Sequence, residues 1–134
     1  MCRSPAAEKM LLHLGGGKFE ARSRGTAAQA YTKIPGPVRD FLTRMAIGDM
    51  GHTPTLVKEE DIEWADVVLV MENCHFEDVA ERFPQSLRKM HLFLDYCFGQ
   101  EGMELGDPMG QGEKVFNKIL GKIREAIEAL VKHG

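Results

Sequence analysis

The sequence has little cysteine, few aromatic residues and no long apolar run. Its three cysteines, Cys2, Cys74 and Cys97, are odd in number and share no repeated spacing, so neither a disulfide framework nor a zinc motif is indicated. No stretch approaches the roughly 18 apolar residues of a membrane span, and no signal peptide opens the chain. The net charge of -3 argues against a basic surface for nucleic acid or membrane lipid. We therefore expect a cytoplasmic protein with no nucleic-acid or membrane partner.

What the chain does contain is enough apolar sequence for a core. With 134 residues, 43% of them apolar, we expect one domain spanning residues 1–134. Apolar residues at helical spacing and local start and stop signals predict helices over residues 5–14, 37–46, 58–65, 75–83 and 113–132. Three segments predict strands: 18–23, 67–71 and 90–94. Helices that alternate with short strands indicate an α/β sandwich, in which ligands bind at the carboxyl ends of parallel strands.

The run Val67–Met71 is the clearest strand signal. It is apolar throughout and rich in β-branched residues. That pattern is typical of a parallel strand buried on both faces.

The first residues combine a helix start with an arginine. Pro5 suits the first helical position, Ser4 can cap free N–H groups, and Glu8 lies near the positive end of the helix dipole. Together with Arg3, such a helix start is predicted to bind an anion. A capped surface helix that carries a chance arginine is the simpler alternative for this fragment alone.

Residues 95–112 form the other informative stretch. They hold five of the 14 glycines and contain an Asp-Pro pair at Asp107. A structureless loop of this length is usually functional or mobile, whereas an isolated Asp-Pro pair is most often a turn.

The order of these features resembles a known family. Cys2-Arg3-Ser4-Pro5 is similar to the end of the phosphate loop, Cys-x-x-Asn-x-Cys-Arg-Ser-Pro, of the low-molecular-weight protein tyrosine phosphatases. This family includes arsenate reductases and protein-arginine phosphatases. Further similar landmarks follow in the same order, at residues 23–26, 51–52, 60–66, 67–72 and 106–110. The resemblance implies a phosphotyrosine phosphatase I-like fold, a three-layer α/β sandwich with a small parallel sheet.

The resemblance also implies roles for individual residues. Arg3 would bind the phosphoryl oxygens, and Cys2 and Ser4 would line the same substrate site. Asp107 would be the general acid and base, so Arg3 and Asp107 are the predicted catalytic residues. Met109 stands where the family usually has an aromatic residue beside the phosphorylated side chain, which leaves the substrate open. The implied partner is a phosphorylated protein, with phosphotyrosine as the default, a small phosphomonoester or phosphate ion. No cofactor and no metal are implied.

The family's nucleophilic cysteine and first strand would lie upstream of residue 1. We therefore expect a hydrolase relative that is truncated, lacks the nucleophile half of the phosphate loop and is inactive as given. The alternatives are a non-catalytic relative that binds anions or proteins, or an arsenate reductase or protein-arginine phosphatase relative once a longer start is restored.

Cys74 and Cys97 could in principle replace the nucleophile. A reactive thiol needs a helix N-terminus or a cationic neighbour, and neither is evident in the sequence, so we expect both to be idle. A zinc site from Cys74, His75 and Cys97 lacks a fourth ligand of suitable spacing.

The missing strand has a structural consequence. In the family it lies between the strands that match 18–23 and 67–71. Its absence would leave unpaired backbone groups and an apolar gap. The chain could pair 18–23 directly with 67–71, leave 18–23 loosely held, or borrow a strand from a neighbouring molecule. We expect marginal stability and self-association through this edge.

Overall fold

A computed structural model describes residues 3–25, 34–48, 51, 55–99, 102, 104–105 and 112–133. In chain order the helices and strands are α1 (Arg3–Leu14), α2 (Gly36–Arg44), α3 (Glu59–Trp64), β1 (Val68–Val70), α4 (Asn73–Arg82), a 3-10 helix (Pro84–Lys89), β2 (Met90–Leu92), α5 (Phe93–Phe98) and α6 (Glu113–His133). All five predicted helices are therefore confirmed, with ends that shift by a few residues.

The sheet of the described chain consists of β1 and β2. They pair in parallel, with Val68 opposite Met90 and Val70 opposite Leu92. The prediction of parallel strands at 67–71 and 90–94 is confirmed, although both strands are shorter than predicted. One isolated parallel bridge joins Gly25 to Leu56.

The prediction of a strand over residues 18–23 is wrong. The structure assigns no strand there. Within the described residues, no backbone hydrogen bond joins this segment to β1. A strand requires a neighbouring strand to which its backbone forms hydrogen bonds. The alternation of apolar and charged side chains in this segment does not provide such a neighbour.

The sheet separates two apolar clusters, which makes three layers. Side chains alternate across a strand, so Leu69 faces one cluster and Val70 the other. The larger cluster contains buried residues of α1, α2, α5 and α6, among them Met10, Leu42, Phe93, Leu120 and Ile123. The smaller cluster packs β1 and β2 against α3 and α4 through Ile62, Val70, Val79, Met90 and Leu92. Helices on both faces of a parallel sheet are the layered arrangement predicted from the sequence.

Helix α1 begins earlier than predicted. Arg3 is its first residue, so Pro5 occupies the third helical position and Ser4 lies inside the helix instead of capping it. Glu8 lies beyond the first turn of the helix, the turn in which its charge would interact with the helix dipole. Its carboxylate instead accepts hydrogen bonds from the backbone N–H and the hydroxyl of Ser23. The helix ends as predicted at the glycine run, where Gly16 and Gly17 adopt φ of 57° and 84°.

The start of the predicted loop 95–112 is helical. The apolar run at residues 90–94 continues into α5, whose last turn is closed by Gly99 with φ of 68°. Short apolar runs do not distinguish a strand from a buried helix, and this run contains both. Among the described residues no helix is both long enough and apolar enough to cross a membrane.

Candidate anion site

Arg3 lies at the start of α1 and is buried, with 6% of its surface exposed. Its Nη1 donates to the backbone carbonyl of Leu105 and lies 3.5 Å from Oε1 of Glu72. Nη1 makes both contacts, so within the described chain the Nε and Nη2 groups have no partner. A buried guanidinium with unused donors at a helix N-terminus can bind an oxyanion through two N–H groups.

Glu72 comes from the carboxyl end of β1. It follows Met71 directly and precedes α4, so the strand sets its position. Its other carboxylate oxygen lies 4.0 Å from Nε2 of His75 and accepts from the thiol of Cys74 at 3.8 Å. The resemblance treated Glu72 as a landmark only, and its contact with Arg3 was not predicted. The signal was present, because carboxyl ends of parallel strands are where α/β folds bind ligands.

The loop after α5 reaches the same place. The backbone N–H of Leu105 donates to the carbonyl of Met71 at 3.0 Å. The side chain of Glu104 accepts from the backbone N–H of Asn73 at 2.5 Å. Three segments therefore meet at Arg3: the start of α1, the end of β1 and the loop that leads towards Asp107.

The other predicted site residues divide into two groups. Ser4 follows Arg3 in α1 and is partly buried. Cys2, Asp107 and Met109 lie outside the described residues. Their predicted roles stay predictions, although Leu105, which contacts Arg3, is only two residues before Asp107 in the sequence.

The two described cysteines differ in their surroundings. Burial raises the pKa of the Cys97 thiol to about 12, so this thiol stays protonated at neutral pH. Cys74 is exposed and is the second residue of α4. The sequence interpretation that no helix N-terminus lies near Cys74 is therefore wrong. The thiol nevertheless faces a carboxylate, that of Glu72, instead of a cation.

Glu72, Cys74 and His75 are also the one group of potential metal ligands in the described chain, with ligand atoms all within 4.8 Å of one another. Cys97, part of the zinc alternative considered from the sequence, does not join them. Three partly exposed ligands at one helix start are fewer than a structural zinc site uses. Arg3 already neutralises the carboxylate of Glu72, and this would oppose a cation.

A cleft of about 800 Å³ extends from Arg3 between α1 and β1 and is called the central cleft below. Residues 18–25 form one wall and residues 67–71 another. Apolar side chains of α1, α5 and α6 contribute to its lining: Leu11, Phe93, Ile127 and Leu130. Residues 18–23 and 67–71 thus lie on opposite walls of this cleft.

Side-chain contacts hold residues 18–25 at their wall. Ser23 is bonded to Glu8 of α1, as described above. Nε of Arg24 lies 3.1 Å from Oδ2 of Asp61 in α3, and the guanidinium of Arg22 stacks 4.0 Å from the centre of the Trp64 ring. The segment is thus attached to two helices through side chains and to residues 55–57 through the backbone of Gly25, while its backbone does not pair with β1.

The cleft opens to solvent. Lys18, Glu20 and Arg22 of its lining are exposed, so water can enter it.

Comparisons with known proteins agree with the fold. The family model of low molecular weight phosphotyrosine protein phosphatase matches residues 1–133. A protein-arginine-phosphatase of Geobacillus stearothermophilus is 27% identical over 98% of this chain and 87% of its own. A glutaredoxin arsenate reductase of Synechocystis is 25% identical over 97% of this chain and 88% of its own.

Solved structures give the same result. The YwlE arginine phosphatase from Geobacillus stearothermophilus superposes with a TM-score of 0.90 at 26% identity, covering 98% of this chain and 84% of that one. Vibrio vulnificus Wzb in complex with benzylphosphonate superposes with a TM-score of 0.88 at 25% identity, covering 100% and 92% of the two chains.

The family model and the fold together define an α/β protein of the phosphatase class, with an arginine at the start of its first described helix. The chain belongs to the low molecular weight phosphotyrosine protein phosphatase family. The family recognised from the Cys-Arg-Ser-Pro segment is thereby confirmed, as is its fold.

Proposed function

We propose that this chain binds phosphate monoester anions at the start of α1 and does not hydrolyse them on its own. The observation that carries the proposal is the buried guanidinium of Arg3, held at one nitrogen and with its other donors unused by described residues. Ser4 and Cys2 would border the anion. Glu72 lies beside it and would weaken binding, because like charges repel at this distance.

The natural ligand would be a phosphorylated protein side chain. Phosphotyrosine is the default from the sequence, and the arginine phosphatases among the relatives add phosphoarginine as a second substrate. Met109 stands in place of an aromatic residue and fits phosphoarginine better. It offers no ring to stack against the phenol of phosphotyrosine, whereas the side chain of phosphoarginine has no phenol. Arsenate, an anion of the same shape and charge, would enter the same site in an arsenate reductase relative.

Hydrolysis is the family reaction, and it needs an attacking thiolate followed by a general acid and base. Asp107 is our candidate for the second role, supported by the contact between Leu105 and Arg3 that brings the loop to the site. For the first role the described thiols are poor candidates, because Cys97 is buried and Cys74 faces Glu72. We therefore propose binding, and not turnover, as the property of the 134-residue chain.

Phosphate titration should locate the anion site. Added phosphate should shift the backbone amide signals of Cys2, Arg3, Ser4 and Ala6 and of the loop around Asp107, with a dissociation constant in the millimolar range, roughly 4 kcal/mol of binding free energy. Arg3→Gln should abolish these shifts. Glu72→Gln should tighten binding by about 1 kcal/mol, roughly fivefold, since it removes the nearby negative charge.

Arg124→Gln is the matched control, because Arg124 lies on the exposed side of α6 and pairs there with Glu128. It should leave the titration unchanged. Shifts that persist in Arg3→Gln, with α6 still folded, would contradict the assignment of the site.

Turnover is tested separately with p-nitrophenyl phosphate. We expect the chain to hydrolyse it no faster than a variant that carries Cys2→Ala, Cys74→Ala and Cys97→Ala together. The family reaction uses an attacking thiolate, and these three residues are the cysteines of the chain. Activity that disappears with any single one of these substitutions would show that one of the three thiols is the nucleophile.

A further inference from the structure

We propose that Glu72, Cys74 and His75 bind a zinc ion at the start of α4. The bound ion also strengthens anion binding at Arg3. The metal site depends only on the contacts of its own three side chains, whereas the effect on the anion rests on the proposed function.

The first support is the spacing of the ligand atoms. Oε2 of Glu72 lies 3.8 Å from the thiol sulfur of Cys74 and 4.0 Å from Nε2 of His75. The three ligand atoms all lie within 4.8 Å of one another. In a tetrahedral zinc site, metal–ligand distances of about 2.0–2.3 Å separate neighbouring ligand atoms by roughly 3.3–3.6 Å. The two measured distances therefore need to contract by only about half an ångström to reach this geometry.

The second support is the chemistry of the ligands. A thiolate and an imidazole select zinc over magnesium and calcium, which prefer oxygen ligands. The metal replaces the proton of the Cys74 thiol, and that proton passes to the solvent. The carboxylate and the thiolate then balance both charges of the zinc ion. Three protein ligands are the number found in zinc sites that keep a fourth position for water, so the site is suited to reversible binding.

Arg3 lowers the affinity of this site without blocking it. Its Nη1 lies 3.5 Å from Oε1 of Glu72, whereas the other oxygen, Oε2, faces the thiol and the imidazole. The carboxylate can therefore contact the guanidinium through one oxygen and the metal through the other. The positive charge of Arg3 and the positive end of α4 both oppose a cation. We expect a dissociation constant in the micromolar range, weaker than that of structural zinc.

The carboxylate of Glu72 couples the metal to the anion site. Zinc brings two positive charges and releases one proton, so the surroundings of Arg3 become more positive by one charge. Glu72→Gln makes a change of the same size, for which we expect anion binding to tighten about fivefold. Zinc should therefore tighten anion binding by a similar factor, and the anion should tighten zinc binding equally.

Cobalt(II) titration of the full chain tests the metal site, because cobalt binds like zinc and absorbs light. We expect one equivalent to bind with a thiolate-to-cobalt charge-transfer band in the near ultraviolet. Added zinc should remove this band, and added magnesium should not. Cys74→Ser should abolish the band, and His75→Asn should weaken cobalt binding at least tenfold.

Two matched variants keep all three ligands. Cys97→Ala removes a thiol that is buried, and His13→Asn removes an exposed histidine of α1. Both should leave cobalt binding unchanged. Circular dichroism shows whether each variant is folded.

Sulfate tests the coupling, because it is an oxyanion that does not precipitate zinc. Saturating zinc should tighten sulfate binding about fivefold, measured by the amide shifts of Arg3 and Ser4. Cys74→Ser should remove this gain. Arg3→Gln should lose the sulfate shifts and keep the cobalt band.

Several results would overturn the proposal. A charge-transfer band that persists in Cys74→Ser would place the metal at another thiol. Equal cobalt binding by His75→Asn and His13→Asn would exclude the imidazole ligand. Zinc binding without any change in sulfate affinity would exclude the coupling. Absence of sulfate shifts in the unmodified chain, with the cobalt band intact, would contradict the anion site at Arg3 and support the metal site alone.

Discussion

Replacing Leu120 by alanine is expected to lower the free energy of unfolding by about 3–4 kcal/mol. Leu120 is 1% exposed on α6 and belongs to the larger apolar cluster, which joins α6 to α1, α2 and α5. The substitution removes buried methyl groups and leaves a cavity that close-packed neighbours fill only in part. A domain of typical stability, about 5–15 kcal/mol, would lose a large fraction of it.

Urea unfolding followed by circular dichroism measures this change. Leu12→Ala is the matched control, because it removes the same atoms from a helix at a position that is 46% exposed. We expect it to change stability by less than about 0.5 kcal/mol. Equal losses in the two variants would mean that the cluster around α6 is not the main core.

The strength of this core explains why much of the fold could be predicted from the sequence. The apolar stripe of α6 spans many turns, and a long periodic pattern has few alternative interpretations. Phe116, Leu120, Ile123 and Ile127 are buried, whereas Val115, which is also apolar, is 37% exposed. The run at 67–71 was equally clear, because a fully apolar β-branched segment is seldom anything but a buried strand.

The segment at 18–23 could not be predicted in the same way. Alternation of Phe19 and Ala21 with charged residues is compatible with a strand, but a strand also needs a neighbour with free backbone groups. That neighbour is absent from the described chain, and side chains hold the segment instead.

Within the site, residue types were easier to predict than contacts. The arginine at the helix start was found because local sequence determines helix ends. Its partners Glu72 and Leu105 are 69 and 102 positions away, and only the folded chain brings them together. The resemblance assigned Asp107 to the same site as Arg3, and Leu105 is two residues before Asp107 in the sequence.

Removing the carboxylate of Glu8 is the second large effect that we expect. Oε2 of Glu8 accepts from the backbone N–H of Ser23 at 2.9 Å and from its hydroxyl at 2.8 Å. Ser23 is 8% exposed, so Glu8→Ala would leave two buried donors without an acceptor. Hydrogen bonds to charged groups contribute about 1.5–3 kcal/mol each, and solvent entering from the cleft will compensate in part. We expect a net loss of about 2–3 kcal/mol in the free energy of unfolding.

The loss should be concentrated in one segment, because Glu8 holds residues 18–25 to α1. Amide exchange at Ser23 should accelerate more than exchange in α6. Glu8→Gln keeps one carbonyl acceptor and should recover about half of the lost stability. Glu20→Ala removes an exposed carboxylate from the same segment and serves as the control. If Glu8→Ala changed stability no more than Glu20→Ala, the contacts of Arg22 and Arg24 with α3 would be sufficient to hold this wall of the cleft, and Glu8 would have no structural role there.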